Sequence, residues 1–235
     1  MTGTGRHLVD LLHRKTVFLT DFDGPICAMF AGYPAPTIAA ELRDLVTANG
    51  CQIPASASDV GPIDFLRLVA DACPPHVVRL AADALRDAEL RAAASAAPAP
   101  GIEDVLAAAH ATGRRAAIVS NNSTASIVSY LDRHDLTRQI DHISARYDGM
   151  NPHHLKPHDH AVRRALDGLD TPAETAILLG DDPADIQAGR TAGVATIGYA
   201  NKPDKRERLT DAGPDTIIDT LTELADALRA TPPTP

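Results

Sequence analysis

Two aspartates two residues apart form the first segment of this sequence that invites chemistry. Asp21 and Asp23 flank Phe22, and Gly24 follows them. In extended backbone, alternate side chains share a face, so the two carboxylates lie side by side and Phe22 points the other way. Like charges this close persist only when a cation neutralises them or one of them holds a proton. The pattern indicates an acid pair at a cation site, and Gly24 lets the backbone approach a ligand, although a solvated Asp-Gly turn also fits.

Two further segments carry groups that suit an anion. Ser120 and Asn121 offer a hydroxyl and an amide that would bind phosphate oxygens at the start of a helix, where an ordinary N-cap is the simpler explanation. Lys156 stands before Pro157, which we expect at the first position of a helix. A lysine there would neutralise a phosphate or an aspartate, although an isolated lysine is usually solvated.

A second acidic segment spans residues 180–185. Asp182 precedes Pro183 and fits a helix N-cap, and Asp185 fits the acid of a capping box. Asp181 has no such structural explanation, because it falls between the end of an apolar run and the cap. An acid there suits a hard cation that prefers oxygen ligands, such as Mg²⁺.

Apolar runs precede most of these polar segments and alternate with helical patterns. Strands are predicted over residues 17–20, 116–119, 176–179, 195–198 and 216–218. Helices are predicted over residues 102–112, 126–132, 158–166, 185–192 and 221–229. This alternation predicts an α/β fold, a Rossmann-like three-layer α/β/α core around a parallel sheet. Ligands of such sheets bind beyond the carboxyl ends of the strands, where these polar residues would meet.

A helical insert interrupts the alternation. Residues 27 to 100 contain no convincing strand, and helices are predicted over 37–48, 63–72 and 77–93, followed by an Ala- and Pro-rich linker. The predicted division is therefore a core of residues 1–26 and 98–235 and a small helical domain of residues 27–97.

Composition narrows the class of protein. Hydrophobic residues make up 44% of the 235 residues and the formal net charge is −9, which argues against nucleic-acid or anionic-membrane partners. The cysteines at 27, 51 and 73 are odd in number and widely spaced, so we expect reduced thiols. With no leader-like or membrane-spanning segment, the expected location is the cytoplasm, and both a monomer and a homodimer fit.

The ordered set of motifs resembles the haloacid dehalogenase superfamily, specifically its phosphatase branch with a C1-type helical cap, as in phosphoglycolate phosphatase-like proteins. The resemblance covers nearly the whole chain. It is carried by the strand and Asp-x-Asp-Gly of residues 17–24, the strand that ends at Ser120, Lys156, and the Gly-Asp with a second acid at 180–185. Each motif is weak alone, and their order is specific.

The resemblance implies a role for each residue. Asp21 would be the nucleophile that forms an aspartyl-phosphate, and Asp23 the acid and then the base. Lys156 would hold Asp21 and balance charge. Phosphoryl oxygens would be bound by Ser120, Asn121 and Gly24, and Mg²⁺ by Asp21, the carbonyl of Asp23 and Asp181, with Asp185 as a supporting acid. The implied reaction is Mg²⁺-dependent hydrolysis of a small phosphorylated metabolite.

Two alternatives remain open at this point. A phosphomutase shares all four motifs, and a non-catalytic binding domain keeps the same fold. Pro25 departs from the family pattern, in which Thr or Val is common, and has no N–H to donate. The sequence does not identify the substrate: Arg67, Arg79 and Arg86 of the insert and the run Lys205–Arg208 are expected to be solvated charges rather than anion-binding groups.

Overall fold

A parallel sheet of six strands forms the centre of the protein in the computed structural model, which describes residues 3–53 and 59–231. The strands lie in the order β3-β2-β1-β4-β5-β6. Their bounds are Val17–Thr20 (β1), Arg115–Ser123 (β2), His142–Arg146 (β3), Ala176–Gly180 (β4), Ala195–Tyr199 (β5) and Thr216–Ile218 (β6). Every pairing is parallel, and β1 lies between β2 and β4. The carboxyl end of β1 is therefore flanked by those of two neighbours.

Helices cover both faces of the sheet. Their bounds are Gly3–Leu12 (α1), Ala35–Ala48 (α2), Pro62–Ala72 (α3), Pro75–Ala93 (α4), Ile102–Ala111 (α5), Thr124–Arg133 (α6), His160–Gly168 (α7), Pro183–Ala192 (α8), Pro203–Ala212 (α9) and Leu221–Ala230 (α10). Strand β1 is buried on both faces: Phe18 packs into the cluster beneath α1, α5, α6 and α10, and Leu19 packs into the cluster beneath α7 and α8. The predicted three-layer α/β/α core is confirmed.

The insert between β1 and β2 has a hydrophobic cluster of its own, built from α2, α3 and the first part of α4. Helix α4 joins this cluster to the core, because Leu85 and Ala88 lie in the insert cluster whereas Ala92 and Ala93 lie in the core cluster. Leu155 of the core also packs in the insert cluster. The insert therefore rests directly on the loop that precedes Lys156.

Several expectations need correction. Strand β3 and helix α1 were not predicted, and α7 begins at His160, so Pro157 does not stand at its first position. The peptide bond between Lys156 and Pro157 is cis. Cys51 and Cys73 form a disulfide that joins the end of α2 to the end of α3, so the expectation of three reduced thiols was wrong, and Cys27 is the free, buried thiol.

None of the helices that the structure describes combines the length and the hydrophobicity needed to cross a bilayer.

Candidate active site

Asp21 and Asp23 follow β1 and behave as the alternation of strand side chains predicts. The Asp21 N–H donates to the carbonyl of Leu179 at 2.9 Å and so extends the pairing of β1 with β4 by one residue. Phe22 points into the core, where its ring meets Tyr130 edge-on with the ring centroids 5.1 Å apart. The two carboxylates face a cavity on the other side.

A tight turn follows Asp23. Gly24 has a φ of +114°, and its N–H donates to the carbonyl of Cys27 at 2.7 Å. A Cβ atom at position 24 would overlap the carboxylate of Asp181. Pro25 fits this turn, because the N–H groups of Ile26 and Cys27 supply the hydrogen bonds, both to the carbonyl of Phe22. The departure from the family pattern at Pro25 therefore leaves the turn intact.

Asp23 is held in a position where it can keep a proton. Its Oδ1 accepts a hydrogen bond from the N–H of Met29 at 2.9 Å. Burial raises the pKa of Asp23 to about 7, and the nearby carboxylates of Asp21 and Asp181 act in the same direction, against the Met29 hydrogen bond. The two members of the acid pair thus have different surroundings.

Lys156 is the cation at the centre of the site. Its Nζ lies 2.8 Å from Asp21 Oδ1 and 2.6 Å from Asp185 Oδ1, and it donates to the carbonyl of Val119 at 2.9 Å. The side chain is buried. Burial by itself would lower the pKa of Lys156, but the two carboxylates outweigh it and raise the pKa, so the lysine stays charged.

Asn121 contacts the backbone of Lys156 through both polar atoms of its amide. Asn121 Oδ1 accepts from the Lys156 N–H at 2.7 Å, and Asn121 Nδ2 donates to the Lys156 carbonyl at 3.1 Å. One N–H of this amide is thereby engaged, and because Asn121 lines the cavity, its contact with a phosphoryl oxygen stays a prediction. Asn121 also fixes the loop that carries the lysine.

Ser120 lies in the last part of β2, beside a register irregularity between β2 and β3. Its Oγ donates to Asn122 Oδ1 at 3.1 Å and accepts from the Asn122 N–H at 3.2 Å. The residue that caps α6 is Ser123, whose hydroxyl accepts from the N–H of Ser126. Ser120 is thus not the N-cap, and it lines the cavity as an anion-binding serine would.

The second acidic segment divides into a structural and a cavity-facing part. Asp182 caps α8 by accepting from the Ala184 N–H at 2.9 Å, as predicted. Asp185 Oδ2 accepts from the N–H groups of Asp181 and Asp182, at 3.1 Å each. Because its other oxygen meets Lys156, Asp185 ties the start of α8 to the lysine.

Asp181 faces the cavity with its carboxylate. Burial raises its pKa to about 6, with Asp21 acting in the same direction and Lys205 against it. Carboxylate oxygens of Asp21, Asp181 and Asp185 lie within 4.8 Å of one another. Such a set of hard oxygen donors, with more negative charge than Lys156 balances, fits a divalent cation such as Mg²⁺.

The cavity above these residues has a volume of about 790 Å³ and is walled by both the core and the insert. Three cationic side chains lie in its wall: Arg67 and Lys205 were expected to be solvated, and Lys202 was not singled out from the sequence. Arg67 of α3 donates to the Lys156 carbonyl and pairs with Asp64, and Lys205 of α9 forms an ion pair with Asp181. Lys202, just before α9, lines the cavity mouth.

Position along the chain could have pointed to two of these three cations. Lys202 and Lys205 follow β5 at its carboxyl end, the same edge of the sheet that carries the acid pair. Arg67 gave no signal, because its approach to Lys156 depends on how α3 packs on the core.

A buried ion pair, also absent from the sequence-based expectations, joins the insert to the end of β2. Glu89 of α4 pairs with Arg146 at the end of β3, and both side chains are buried. Glu89 Oε2 also accepts from the Ser123 N–H at 2.8 Å, and Glu89 Oε1 accepts from Asn122 Nδ2 at 3.3 Å. The carboxylate of Glu89 therefore holds the residues directly after Ser120.

Comparisons with known solved structures agree with the fold. Among solved structures, a protein described as a predicted phosphatase from Clostridium acetobutylicum superposes with a TM-score of 0.70 at 18% identity, over 91% of this chain and 97% of that one. A β-phosphoglucomutase from Clostridium difficile gives a TM-score of 0.67 at 17% identity, over 92% of this chain and 98% of that one. At these identities the likeness establishes the fold.

Sequence comparison identifies the family. Pyrophosphatase PpaX of Anoxybacillus flavithermus is 35% identical over 78 residues, which is 33% of this chain and 36% of the relative. The match thus spans about a third of that relative. The model of the haloacid dehalogenase-like hydrolases matches residues 71–199, more than half of the chain. The chain belongs to the haloacid dehalogenase-like hydrolase family.

Proposed function

We propose that this hydrolase cleaves a small phosphomonoester in the presence of Mg²⁺ through a phosphorylated Asp21. The observation that carries the proposal is the difference between the two acids on one cavity wall. Asp21 lies 2.8 Å from the Lys156 ammonium, whereas burial raises the pKa of Asp23 to about 7. A charged nucleophile beside an acid that holds its proton near neutral pH is what a two-step phosphoryl transfer needs.

The first step transfers the phosphoryl group to the enzyme. The Asp21 carboxylate attacks phosphorus, the bond between phosphorus and the leaving oxygen breaks, and the proton of Asp23 passes to that oxygen. Lys156 and Ser120, both in the cavity wall, bind the phosphoryl oxygens as charge develops on them. Asn121 serves the step indirectly, by holding the backbone of Lys156.

The second step returns Asp21 to its starting state. The Asp23 carboxylate takes a proton from water as the water oxygen attacks phosphorus, so that Asp21 leaves as a carboxylate and inorganic phosphate forms. Asp21, Asp181 and the backbone carbonyl of Asp23 would hold Mg²⁺, which would supply positive charge to the phosphoryl oxygens when bound. Asp185 acts as a support by contacting Lys156 and the N–H of Asp181.

The insert, residues 27–97, acts in this proposal as a cap over the reacting groups. Arg67 of α3 reaches the Lys156 carbonyl, and Leu155 packs inside the insert cluster. A cap that contacts the catalytic lysine excludes bulk water while it is closed.

The proposed substrate is a small phosphorylated metabolite. A cavity of about 790 Å³ lies in the range of small-molecule sites, and a net charge of −9 disfavours nucleic acid. A cytoplasmic location and a monomeric or homodimeric state stay predictions from the sequence.

Phosphate release tests the proposal directly. Sugar phosphates, nucleoside monophosphates, phosphoglycolate and inorganic pyrophosphate are offered to wild type and Asp21→Asn, each with Mg²⁺ and with EDTA. We expect Mg²⁺-dependent release that falls by at least about 10³-fold in Asp21→Asn. Asp226→Asn, an exposed aspartate of α10, is the matched control and keeps the wild-type rate.

Acid quenching then separates hydrolysis from its alternative. Wild type mixed with a ³²P-labelled substrate retains acid-stable label on the protein, and Asp21→Asn does not. Conversion of a sugar phosphate to its isomer without phosphate release would identify a mutase. Full turnover by Asp21→Asn would refute the proposed nucleophile.

A further inference from the structure

Two lysines beside the acid cluster have no role in the proposed reaction. Lys205 of α9 forms an ion pair with Asp181, and its side chain is 20% exposed. Lys202 lines the same cavity, and its side chain makes no hydrogen bond or ion pair with any residue that the structure describes. Both lie on the core side of the cavity mouth, apart from the Lys156 that meets Asp21.

The helix that carries Lys205 is anchored independently of that lysine. Leu209 is fully buried beneath α9, and Arg208 pairs with Asp182 at 3.0 Å. The backbone of α9 therefore keeps its place when the Lys205 side chain changes partner. A flexible four-carbon stem lets the ammonium move within the cavity while its Cα atom stays fixed.

A cation bound at Asp181 displaces Lys205 from that carboxylate. Lys205 now neutralises the carboxylate that the proposed function assigns to Mg²⁺, and a dication at the same oxygen repels an ammonium. Lys205 then stands next to Lys202 in a partly closed cavity, where a cation is stabilised best by an anion from outside. The phosphoryl group does not meet this need, because Asp21 brings it to the Lys156 side.

We propose that Lys202 and Lys205 form a subsite for a second anionic group, so that the substrate is a small phosphomonoester that also carries a carboxylate or a further phosphate. The inference rests on the proposed function, since release of Lys205 requires a cation at Asp181. The two lysines bind the second anion at the core-side rim, while Lys156 and Ser120 hold the group to be transferred.

Matched pairs of substrates test this subsite. Phosphoglycolate is compared with 2-hydroxyethyl phosphate, and 1,3-propanediol bisphosphate with 3-hydroxypropyl phosphate, by kcat/KM in wild type, Lys205→Met and Lys202→Met. We expect wild type to prefer the doubly anionic member of at least one pair, and each variant to reduce that preference by about tenfold. The substrate pair whose preference falls in the variants shows whether the second anion is a carboxylate or a phosphate.

Two controls exclude a general charge effect. Arg206→Met removes one positive charge from the outward side of the same helix and should leave the preference as in wild type. Lys205→Arg keeps the charge and should retain most of the preference. A preference unchanged in both lysine variants, or lowered equally by Arg206→Met, would overturn the subsite.

Calorimetry keeps the test independent of turnover. The same pairs are titrated into Asp21→Asn protein, with and without Lys205→Met, in Mg²⁺ and in EDTA. Tighter binding of the doubly anionic member that requires both Mg²⁺ and Lys205 supports the subsite even if no ester is hydrolysed, an outcome that would defeat the proposed function alone. Equal binding of both members of each pair would defeat the subsite and leave the proposed function standing.

Discussion

At Gly24 the backbone conformation and the space available to the side chain impose the same restriction. A φ of +114° is strained for any residue with a Cβ atom, and at this position a Cβ would also overlap the Asp181 carboxylate. The turn after Asp23 and the second acidic segment therefore pack directly against each other, because residue 24 has no side chain. That contact brings Asp21 and Asp181 close enough to share a cation.

Gly24→Ala should therefore lose more stability than backbone strain alone would explain. We expect the free energy of unfolding to fall by about 2–3 kcal/mol and Mg²⁺-dependent activity to fall at least tenfold, because Asp181 must move away. Urea unfolding and phosphate release measure the two effects. Gly50→Ala is the matched control: Gly50 has a φ of +78° but open space around its Cβ position, so it reports strain alone. Equal losses in the two variants would mean that the contact with Asp181 is unimportant.

Asp23 also affects stability, because its pKa is raised in the folded protein. The folded state holds the proton up to about pH 7, whereas the unfolded chain loses it near pH 4. The contribution of this group is therefore fully present below about pH 4 and is lost as the pH rises to about 7. Above that range the metal-free protein carries a buried, destabilising carboxylate.

Asp23→Asn should remove that dependence. In EDTA, we expect the variant to gain stability over wild type as the pH rises from 5 to 8, by on the order of 3 kcal/mol. The Asn side chain keeps an oxygen for the Met29 N–H, so packing is preserved. Thermal unfolding at the two pH values measures the difference, and Mg²⁺ at pH 8 should narrow it. A constant difference across this range would contradict the raised pKa.

At the scale of elements, α4 connects the insert to the end of β2, which carries Ser120. The Glu89 carboxylate is buried and meets Arg146, the Ser123 N–H and Asn122 Nδ2, while Asn122 in turn bonds Ser120. Arg146 also donates to the carbonyls of Asn121 and, back on α4, of Ala82. A shift of α4 is therefore transmitted to the end of β2, where the proposed phosphate-binding residue Ser120 lies.

Glu89→Gln replaces one carboxylate oxygen by an NH2 group and so removes the negative charge from this connection. We expect the free energy of unfolding to fall by about 3 kcal/mol, because Arg146 is left buried without its counter-charge, and kcat to fall with it. Denaturant unfolding and steady-state kinetics check both. Asp87→Asn, an exposed acid on the same helix, should change neither. The double variant Glu89→Gln with Arg146→Met should regain stability but not kcat. If it also regains kcat, Glu89 does not position the end of β2, and if it does not regain stability, the unpaired charge of Arg146 is not the cause of the loss.

Strands and helices that show as a local pattern of apolar residues could be predicted from the sequence. The apolar runs at 17–20 and 176–179 identify two central strands that are buried on both faces. The edge strand β3 was missed because His142–Arg146 is partly buried and mixes polar with apolar residues. Asp21 and Lys156 were singled out from short motifs whose order resembles a known family, and the structure places their side chains 2.8 Å apart.

Roles that depend on packing between distant segments could not be predicted. Asn121 contacts Lys156 because β2 and the loop before α7 meet at one edge of the sheet. Lys205 reaches Asp181 across 24 positions, and Glu89 reaches Ser123 across 34. None of these pairs has a spacing that a single strand or helix would fix. The disulfide between Cys51 and Cys73 likewise requires that α2 and α3 lie side by side.

At the scale of the whole molecule, one buried arginine joins both ends of the described chain to the sheet. Arg114, just before β2, donates to the carbonyls of Leu12 at 3.2 Å, Lys15 at 2.9 Å and Leu228 at 3.4 Å, and also to that of Thr231. The carbonyls of Leu12, Leu228 and Thr231 belong to the ends of α1 and α10, where helices leave acceptors unpaired, and Lys15 lies between α1 and β1. Burial lowers the pKa of Arg114, and no carboxylate of the described residues pairs with it.

Arg114→Met should therefore loosen α1 and α10 together. We expect the free energy of unfolding to fall by about 3 kcal/mol or more, because several buried carbonyls lose their donor at once. Hydrogen exchange should accelerate in α1 and α10 and stay slow in β1 and β4, and urea unfolding gives the total. Arg115→Met, one residue on and exposed, is the matched control. If the variant lost stability without faster exchange in the two terminal helices, Arg114 would be filling space in the core rather than holding the ends of the chain.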